Sequence, residues 1–505
     1  GLPRQFDLSV PARPAHIPTD IPPANLPLDQ QEDLKVWKAN AAKVHASNGA
    51  ARSERVALAQ KLWIANRFKD EKAIYFPHYL DFRGRLYPFA SYVNPQSDDA
   101  GKALLEFAEG KALGEDGAFW LAVHLANLWG VDKVSFEDRV QWVHDNEDRI
   151  LSSALDPYES DAFWLDADKP FQALAACFEW LGYKMHGDAW VSHMPIAMDG
   201  SCSGLQHFSM MLRDEVGGAA VNLIPQEKPA DIYTAVARRA QELSDRSDDA
   251  MAAAWKGKVV RKVAKQPTMT MCYSATQYGM QGQIETALRK LDDEQGSPYI
   301  EGQERHAAAV YMAGIVWEAI GDTVVAARRA MDWLKEASKV AAEAGLPVRW
   351  TTPVGLPVLQ EYREIAGERL KVHFGGQRVD LWIAKEGSKL SKRRQASGIA
   401  PNFVHSLDSA HLMATVGLGV RNGLYNWCMI HDSFGVHACD TSLLNAVLRE
   451  AFVEQYTPDV LARFRDELVE QLQASAPDLV EKIPPLPAHG NLDIEAVRQS
   501  DFFFA

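Results

Sequence analysis

Residues 194–212 read MPIAMDGSCSGLQHFSMML, and the rest of the chain is best read outward from them. The apolar run 191–198 predicts a short strand, Asp199-Gly200-Ser201-Cys202-Ser203-Gly204 a tight turn, and Leu205 onward a helix. Asp199 then ends a buried strand, where a carboxylate is costly unless it holds a cation or a hydrogen-bond network. One such carboxylate is a normal half of a magnesium site, because hard cations want oxygen ligands and take few from the protein. Gly200 has no side chain to keep its carbonyl from the same ion. Two other readings fit the same residues. GSCSG matches the G-x-[SC]-x-G nucleophile elbow, with Asp432 and His437 available downstream as acid and base. It is also an ordinary glycine-rich turn in which Asp199 caps the helix. The local pattern leaves all three open.

The segment WCMIHDSFGVHACD (427–440) is the second to carry chemistry. Asp432 lies between apolar residues and Phe434-Gly435, the profile of a tight hairpin presenting its tip. A carboxylate there would complete a two-metal site with Asp199, of the kind that stabilises the attacking and leaving oxygens of a phosphoryl transfer. The plain alternative is a solvated turn aspartate beside a structural histidine.

The third segment is KGKVVRKVAKQPTMTMCYSATQYG (256–279), whose Lys256, Lys258, Arg261, Lys262 and Lys265 precede any acid before Glu285. Arg261 and Lys265 are spaced i, i+4, so both project from one helical face, with Tyr273 two turns further on. Cations followed by an aromatic on one face suit a triphosphate and then a base; a solvated surface helix is the bland alternative. Arg83 and Arg85 in DFRGR, and Lys392, Arg393 and Arg394 ahead of GIAPNFVHS (398–406), extend the basic pattern. His405 reads either as a core histidine or as a donor set against a sugar hydroxyl.

Composition bounds these readings. The chain has 505 residues, roughly three domains' worth. Its net charge of −14 argues mildly against a nucleic-acid partner, but what matters is where the charge lies. The five cysteines at 177, 202, 272, 428 and 439 show neither zinc-ligand nor disulfide-framework spacing, which favours a reducing compartment. No uncharged apolar run approaches membrane-spanning length. Residues 1–30 carry seven prolines and read as an extended leader or linker. Helical periodicity runs from 34 to about 68, from 104 to 180, from 231 to 291 and from 305 to 344, and residues 348–386 alternate as antiparallel strands would. The fold class is α+β with helices dominating.

DGSCSGLQHFS (199–209), RKVAKQPTMTMCYS (261–274) and HDSFG (431–435) resemble, in order, the three polymerase motifs of the phage-type single-subunit DNA-dependent RNA polymerases, the family of the T-odd phages and mitochondria. DFRGRLYPFASYVNPQ (81–96), GIAPNFVHS (398–406) and SDFFFA (500–505) continue the resemblance, which runs from about residue 35 to the end. The elbow reading falls, because it explains neither Lys265 nor the HDSFG hairpin.

The resemblance implies a right-hand polymerase fold. Residues 31–70 would be the remainder of a thumb, 71–227 and 406–505 the two parts of the palm, and 228–405 the fingers, with a promoter-specificity hairpin near 366–386. It implies that Asp199 and Asp432 bind two Mg²⁺ ions, one of which Gly200 approaches through its carbonyl. Arg261 and Lys265 would hold the triphosphate, Lys265 also protonating the leaving pyrophosphate. Tyr273 and His405 would read the 2′-hydroxyl, with Tyr233 beside the nucleotide. His431 would support the catalytic hairpin, and the Ala505 carboxylate would lie near the incoming nucleotide. Arg83, Arg85, Lys392, Arg393 and Arg394 would contact nucleic acid.

The implied partners are a double-stranded DNA template, the RNA transcript and NTPs, with no membrane, and the implied state is a monomer. The closeness of SDFFFA and GIAPNFVHS to the phage versions favours the cytoplasm of an infected bacterium over a mitochondrion. Three departures stand out. Gln266 replaces an Arg, Pro267 falls within an expected helix and predicts a kink or restart past Lys265, and Ser274 replaces a Gly. The N-terminal domain of full family members has no counterpart here, which keeps a second expectation: a catalytically incompetent fragment, or a remnant that binds template without initiating.

Overall fold

The computed structural model describes residues 7–158, 161–375 and 377–505. The first six residues of the expected leader, and Gly376 within the expected hairpin, lie outside the described residues, as do the side chains of Phe374 and Gln377.

A small antiparallel sheet positions the site. Strand Ile196–Asp199 turns Ile196 and Met198 into the core and leaves Ala197 and Asp199 exposed, the period-2 alternation expected of a half-buried strand. It pairs with Ser433–Val436, which pairs in turn with Cys428–Ile430. Helix Ser203–Met211 leaves this sheet with all nine residues buried, so it runs through the core rather than over the surface.

The long helix Lys392–Arg421 packs against Ser203–Met211, Val325–Glu343 and Thr441–Tyr456. Helix Arg261–Met271 lies between Ile232–Asp245 and Gln277–Gln295. It is continuous through Pro267, which is buried, so the expected restart past Lys265 does not occur. Trp120 and Trp180 are core residues, whereas Trp142 and Trp164 are only partly covered.

The alternating region 348–386 forms two separate two-stranded sheets. Val348–Thr351 pairs with Pro357–Gln360, and a long hairpin pairs Arg363–Phe374 with Gln377–Leu390. In this hairpin Leu370 faces Leu381 and Val372 faces Val379 on one side, while Arg369 faces Trp382 and Lys371 faces Asp380 on the other. Among the described residues no single helix is long and apolar enough to cross a membrane.

Two compact units can be distinguished: residues 1–77 with 88–108, and residues 78–87 with 109–505. In the first, helix Leu28–Phe68 runs 41 residues and the proline-rich stretch lies along it. Ile17, Leu26 and Leu34 bury one another, with Trp37 packed on them. Leu8 and Asn48 exchange hydrogen bonds of 2.7 and 2.8 Å, and the Trp37 indole donates to the Pro11 carbonyl at 2.9 Å. At Leu8 and Pro11 the leader is thus fastened to the helix by side-chain bonds.

Candidate active site

The sheet register brings the two aspartates together. Ser433 stands opposite Asp199, and the Gly200 amide donates to the Asp432 carbonyl at 3.2 Å, so Asp199 and Asp432 end adjacent strands. Ser203 donates from Oγ to Asp432 Oδ2 at 2.8 Å, which fixes that carboxylate from the first turn of the following helix. Asp199 is exposed and Asp432 half-buried. Among the described residues there is no ready-made cage of three or more His, Cys, Asp or Glu. Two carboxylates and a main-chain carbonyl are instead the sparse, all-oxygen donor set of a Mg²⁺-type ion, which keeps waters and takes phosphate oxygens from its substrate. The residues present fit such an ion.

The C-terminus closes one edge of this arrangement. Gly200 bridges to Phe504, and the Ala505 amide donates to the Asp199 carbonyl at 3.1 Å. Gln206 Nε2 donates to the Phe503 carbonyl at 2.9 Å, and Ser201 Oγ to that of Phe502 at 3.2 Å. Phe502, Phe503 and Phe504 are buried in the core, which anchors Ala505 beside Asp199.

Helix Arg261–Met271 supplies the cations. Lys265 is exposed and has no ion-pair partner among the described residues, whereas Arg261 is tethered: its Nε donates to Asp231 Oδ2 at 2.7 Å and its guanidinium lies 5.3 Å from the Tyr233 ring centre. Tyr233 shares a hydrogen bond with Cys202, and burial holds its hydroxyl well above the usual phenol range. Tyr273 follows the helix and reaches back over the turn. A Cβ built on Gly204 would lie 3.3 Å from its hydroxyl and 3.1 Å from Cys272 Cβ, so glycine is what lets the two segments approach. The Tyr273 ring lies 4.7 Å from that of His405, tilted by 34°.

His405 is held in one state. Arg83 Nη1 lies 2.7 Å from His405 Nδ1, and because a guanidinium can only donate, Nδ1 must accept and the ring proton sits on Nε2. Burial, with the charges of Arg85 and Arg83, pushes the His405 pKa down to about 2, so the ring is a neutral Nε2–H donor at neutral pH. His431 is likewise pushed down to about 4, by burial first, and its ring meets the edge of Tyr87 at 4.9 Å. Arg85 donates from Nε and Nη2 to Asp408, which is buried, and the charges of both Asp408 and Asp432 bear on it.

The basic residues after the hairpin divide. Arg394 donates to the Arg363 carbonyl at 2.8 Å and stacks 5.1 Å over Tyr362, so it holds the hairpin's base. Lys392 and Arg393 are exposed and line a cavity of about 690 Å³ with Trp317, Lys335, Lys339 and Ser274. Sequence reading missed Asp408, Asp231, Ser203 and this second pair of lysines. Only Asp408 had a usable signal: it lies three residues after His405 on one helix, hence on the same face.

The chain belongs to the DNA-dependent RNA polymerase family, whose model matches residues 111–480. It is 39% identical to T7 RNA polymerase of Escherichia phage T7, over 94% of this chain and 58% of that protein. The DNA-directed RNA polymerase of Enterobacteria phage T3 is also 39% identical, over 96% of this chain and 59% of its own length. So is the chloroplastic/mitochondrial DNA-directed RNA polymerase 2B of Nicotiana tabacum, over 96% and 47%. The chain spans about half the length of the curated relatives it matches.

Proposed function

We propose that this chain carries the catalytic centre of a single-subunit DNA-directed RNA polymerase and adds ribonucleotides to an RNA 3′ end against a DNA template. The observation that carries this reading is the register that sets Asp199 beside Asp432, on a sheet flanked by the Tyr273–His405 ring pair. In it, residues 71–227 and 406–505 serve as palm, 228–405 as fingers and 31–70 as thumb, and the Arg363–Leu390 hairpin contacts promoter DNA.

Asp199, Asp432 and the Gly200 carbonyl would hold two divalent ions of the Mg²⁺ type. When bound, such a pair lowers the pKa of the attacking hydroxyl and neutralises charge on the leaving phosphates. Lys265, exposed and without an ion-pair partner among the described residues, meets the triphosphate and donates a proton to departing pyrophosphate. Arg261, held at Nε by Asp231, offers its remaining N–H groups to the same phosphates. His405 Nε2–H donates to a ribose hydroxyl, and the Tyr273 ring stacks against it and closes over the nascent pair. Tyr233 keeps Arg261 in place by its ring face. His431 braces the hairpin tip against Tyr87. Arg83, Arg85, Lys392 and Arg393 carry the nucleic acid, and Ala505 lies at the edge of the nucleotide site.

Identity is equal to phage and plant-organelle relatives, so it is the phage-like SDFFFA and GIAPNFVHS that support a bacteriophage source and the cytoplasm of its host. The test is extension of an RNA primer on a preassembled DNA scaffold with Mg²⁺ and NTPs. The scaffold removes any need for a promoter. Templated extension by the wild type and none by D432A is expected. Scaffold binding without extension would leave only a template-holding protein.

A further inference from the structure

The turn bearing Arg83 and Arg85 is clamped onto the helix bearing His405. Asp81 Oδ1 accepts from the Arg83 and Arg85 amides at 2.9 and 3.1 Å, which closes the turn on itself. Gly84, at φ +91°, presses against the long helix so closely that a Cβ would lie 2.6 Å from Ser409 Oγ, and Ser409 donates to the Gly84 carbonyl. Next to that contact Asp408 takes two of the three guanidinium nitrogens of Arg85, Nε at 3.1 Å and Nη2, leaving Nη1 without a partner among the described residues. Both side chains are well buried, at 3% and 13% exposure. Asp408 also lies 4.0 Å from His207 Nε2, and His207 Nδ1 is 2.6 Å from the Tyr456 hydroxyl, so the carboxylate is seated in a buried polar chain.

The charge of Arg85 is felt at Tyr273, at His405 and His431, and at Asp432. Two residues beyond Arg85, the Tyr87 ring meets that of His431, the neighbour of Asp432, at 4.9 Å, so this segment lies against the hairpin tip. Of the two carboxylates whose charge bears on Arg85, only Asp432 is offered to a metal in the proposed mechanism.

We infer that Asp408 is a positioning residue that holds the Arg85 guanidinium off Asp432, keeping Asp432 open to a divalent ion and leaving Arg85 Nη1 for the nucleic acid beside Tyr273 and His405. The inference rests on the proposed reading of Asp432 as a metal-binding carboxylate. Burial first, and then the charge of Asp432, push the Asp408 carboxyl up to about 7 against the pull of Arg85, so Asp408 lies within the field of Asp432. Without Asp408, Arg85 would turn to the remaining carboxylate and occupy the place of the ion.

The test is binding of Mn²⁺, followed by the loss of its free electron-spin-resonance signal, to the full chain without nucleic acid. Wild type is compared with D408A, D408N, R85A and the double variant R85A/D408A. Loss of a group that orients a metal ligand typically weakens affinity about tenfold or more, and that is expected of D408A. D408N, whose amide oxygen still accepts from Arg85, should lose less. R85A/D408A should bind Mn²⁺ as tightly as wild type, because the competing guanidinium is gone. A merely structural role for Asp408 predicts the opposite, with the double variant at least as weak as D408A. Wild-type affinity in D408A and D408N, or a double variant no better than D408A, would overturn the inference alone. A wild type that binds no Mn²⁺ and extends no primer would overturn the proposed function and the inference with it.

Discussion

Ser274 sits at φ +60°, in the left-handed region that an L side chain enters at a cost of about 1–2 kcal/mol, and its hydroxyl is buried without a hydrogen-bond partner among the described residues. Both penalties disappear with glycine. Ser274→Gly should therefore raise stability by about 1 kcal/mol, read as a higher midpoint in urea unfolding. A neighbouring residue teaches the reverse lesson. Pro267 should break a helix by its missing N–H, yet the helix passes through it because its ring is buried where flanking helices pack. Local propensity was outweighed by tertiary packing at Pro267, and a local departure from the family, Ser274, turned out to be a strained backbone position.

Among the elements, the C-terminal strand-like tail has the clearest energetic role. Phe504 is 2% exposed, meets Phe434 at 5.7 Å and bridges to Gly200, so it supports the sheet bearing Asp199 from its open edge. Phe504→Ala should cost about 3–5 kcal/mol of stability and loosen Asp199, lowering primer extension at temperatures where the chain is still folded. A melting curve beside an extension assay checks both.

At this scale the sequence was largely readable. The turn, the helix after it and the hairpin around Asp432 follow from local periodicity and turn residues, and the structure has them, but the single strand expected over 191–198 is split: Val191–Ser192 pairs with Lys111–Ala112, while Ile196–Asp199 alone joins the sheet beside Asp432. Their pairing does not follow. Nothing local in MPIAMD or HDSFG specifies that Ser433 stands opposite Asp199; that register is set by which residues of each strand face the core. The resemblance to a known family supplied the pairing before the structure did. Asp408 escaped because a buried carboxylate looks like any other in a helix until its arginine, 323 positions away, is folded onto it.

For the whole molecule, buried histidines set the response to acid. His124 and His411 are pushed down to about 3 and about 4 by burial, and His207 lies well below its ordinary value for the same reason. In the unfolded chain each takes up a proton near pH 6.5, while in the folded chain none does. Their stabilisation is complete above pH 6.5 and falls below it by about 1.4 kcal/mol per pH unit for each histidine. Asp408 works in the other sense. With its folded pKa near 7 and an unfolded value of 3.8, it favours the folded state progressively as the pH drops between those limits. His405 and His431, pushed down to about 2 and about 4, act in the same sense, so the histidines outweigh the one aspartate and stability should fall steeply from pH 6.5 to 4.5, as denaturant melts across that range would register. D408N should flatten the pH dependence above pH 6.5 and steepen it below.

The account stands on Asp199 and Asp432 acting as one site. Its most direct test is the rate of single-nucleotide addition to a scaffolded RNA primer by D199N, D432N and the double variant D199N/D432N. If the two carboxylates form a unit, each single substitution abolishes nearly all activity and the double is no worse than either, because groups that act together are lost together. A single variant that keeps a rate close to that of wild type would contradict it.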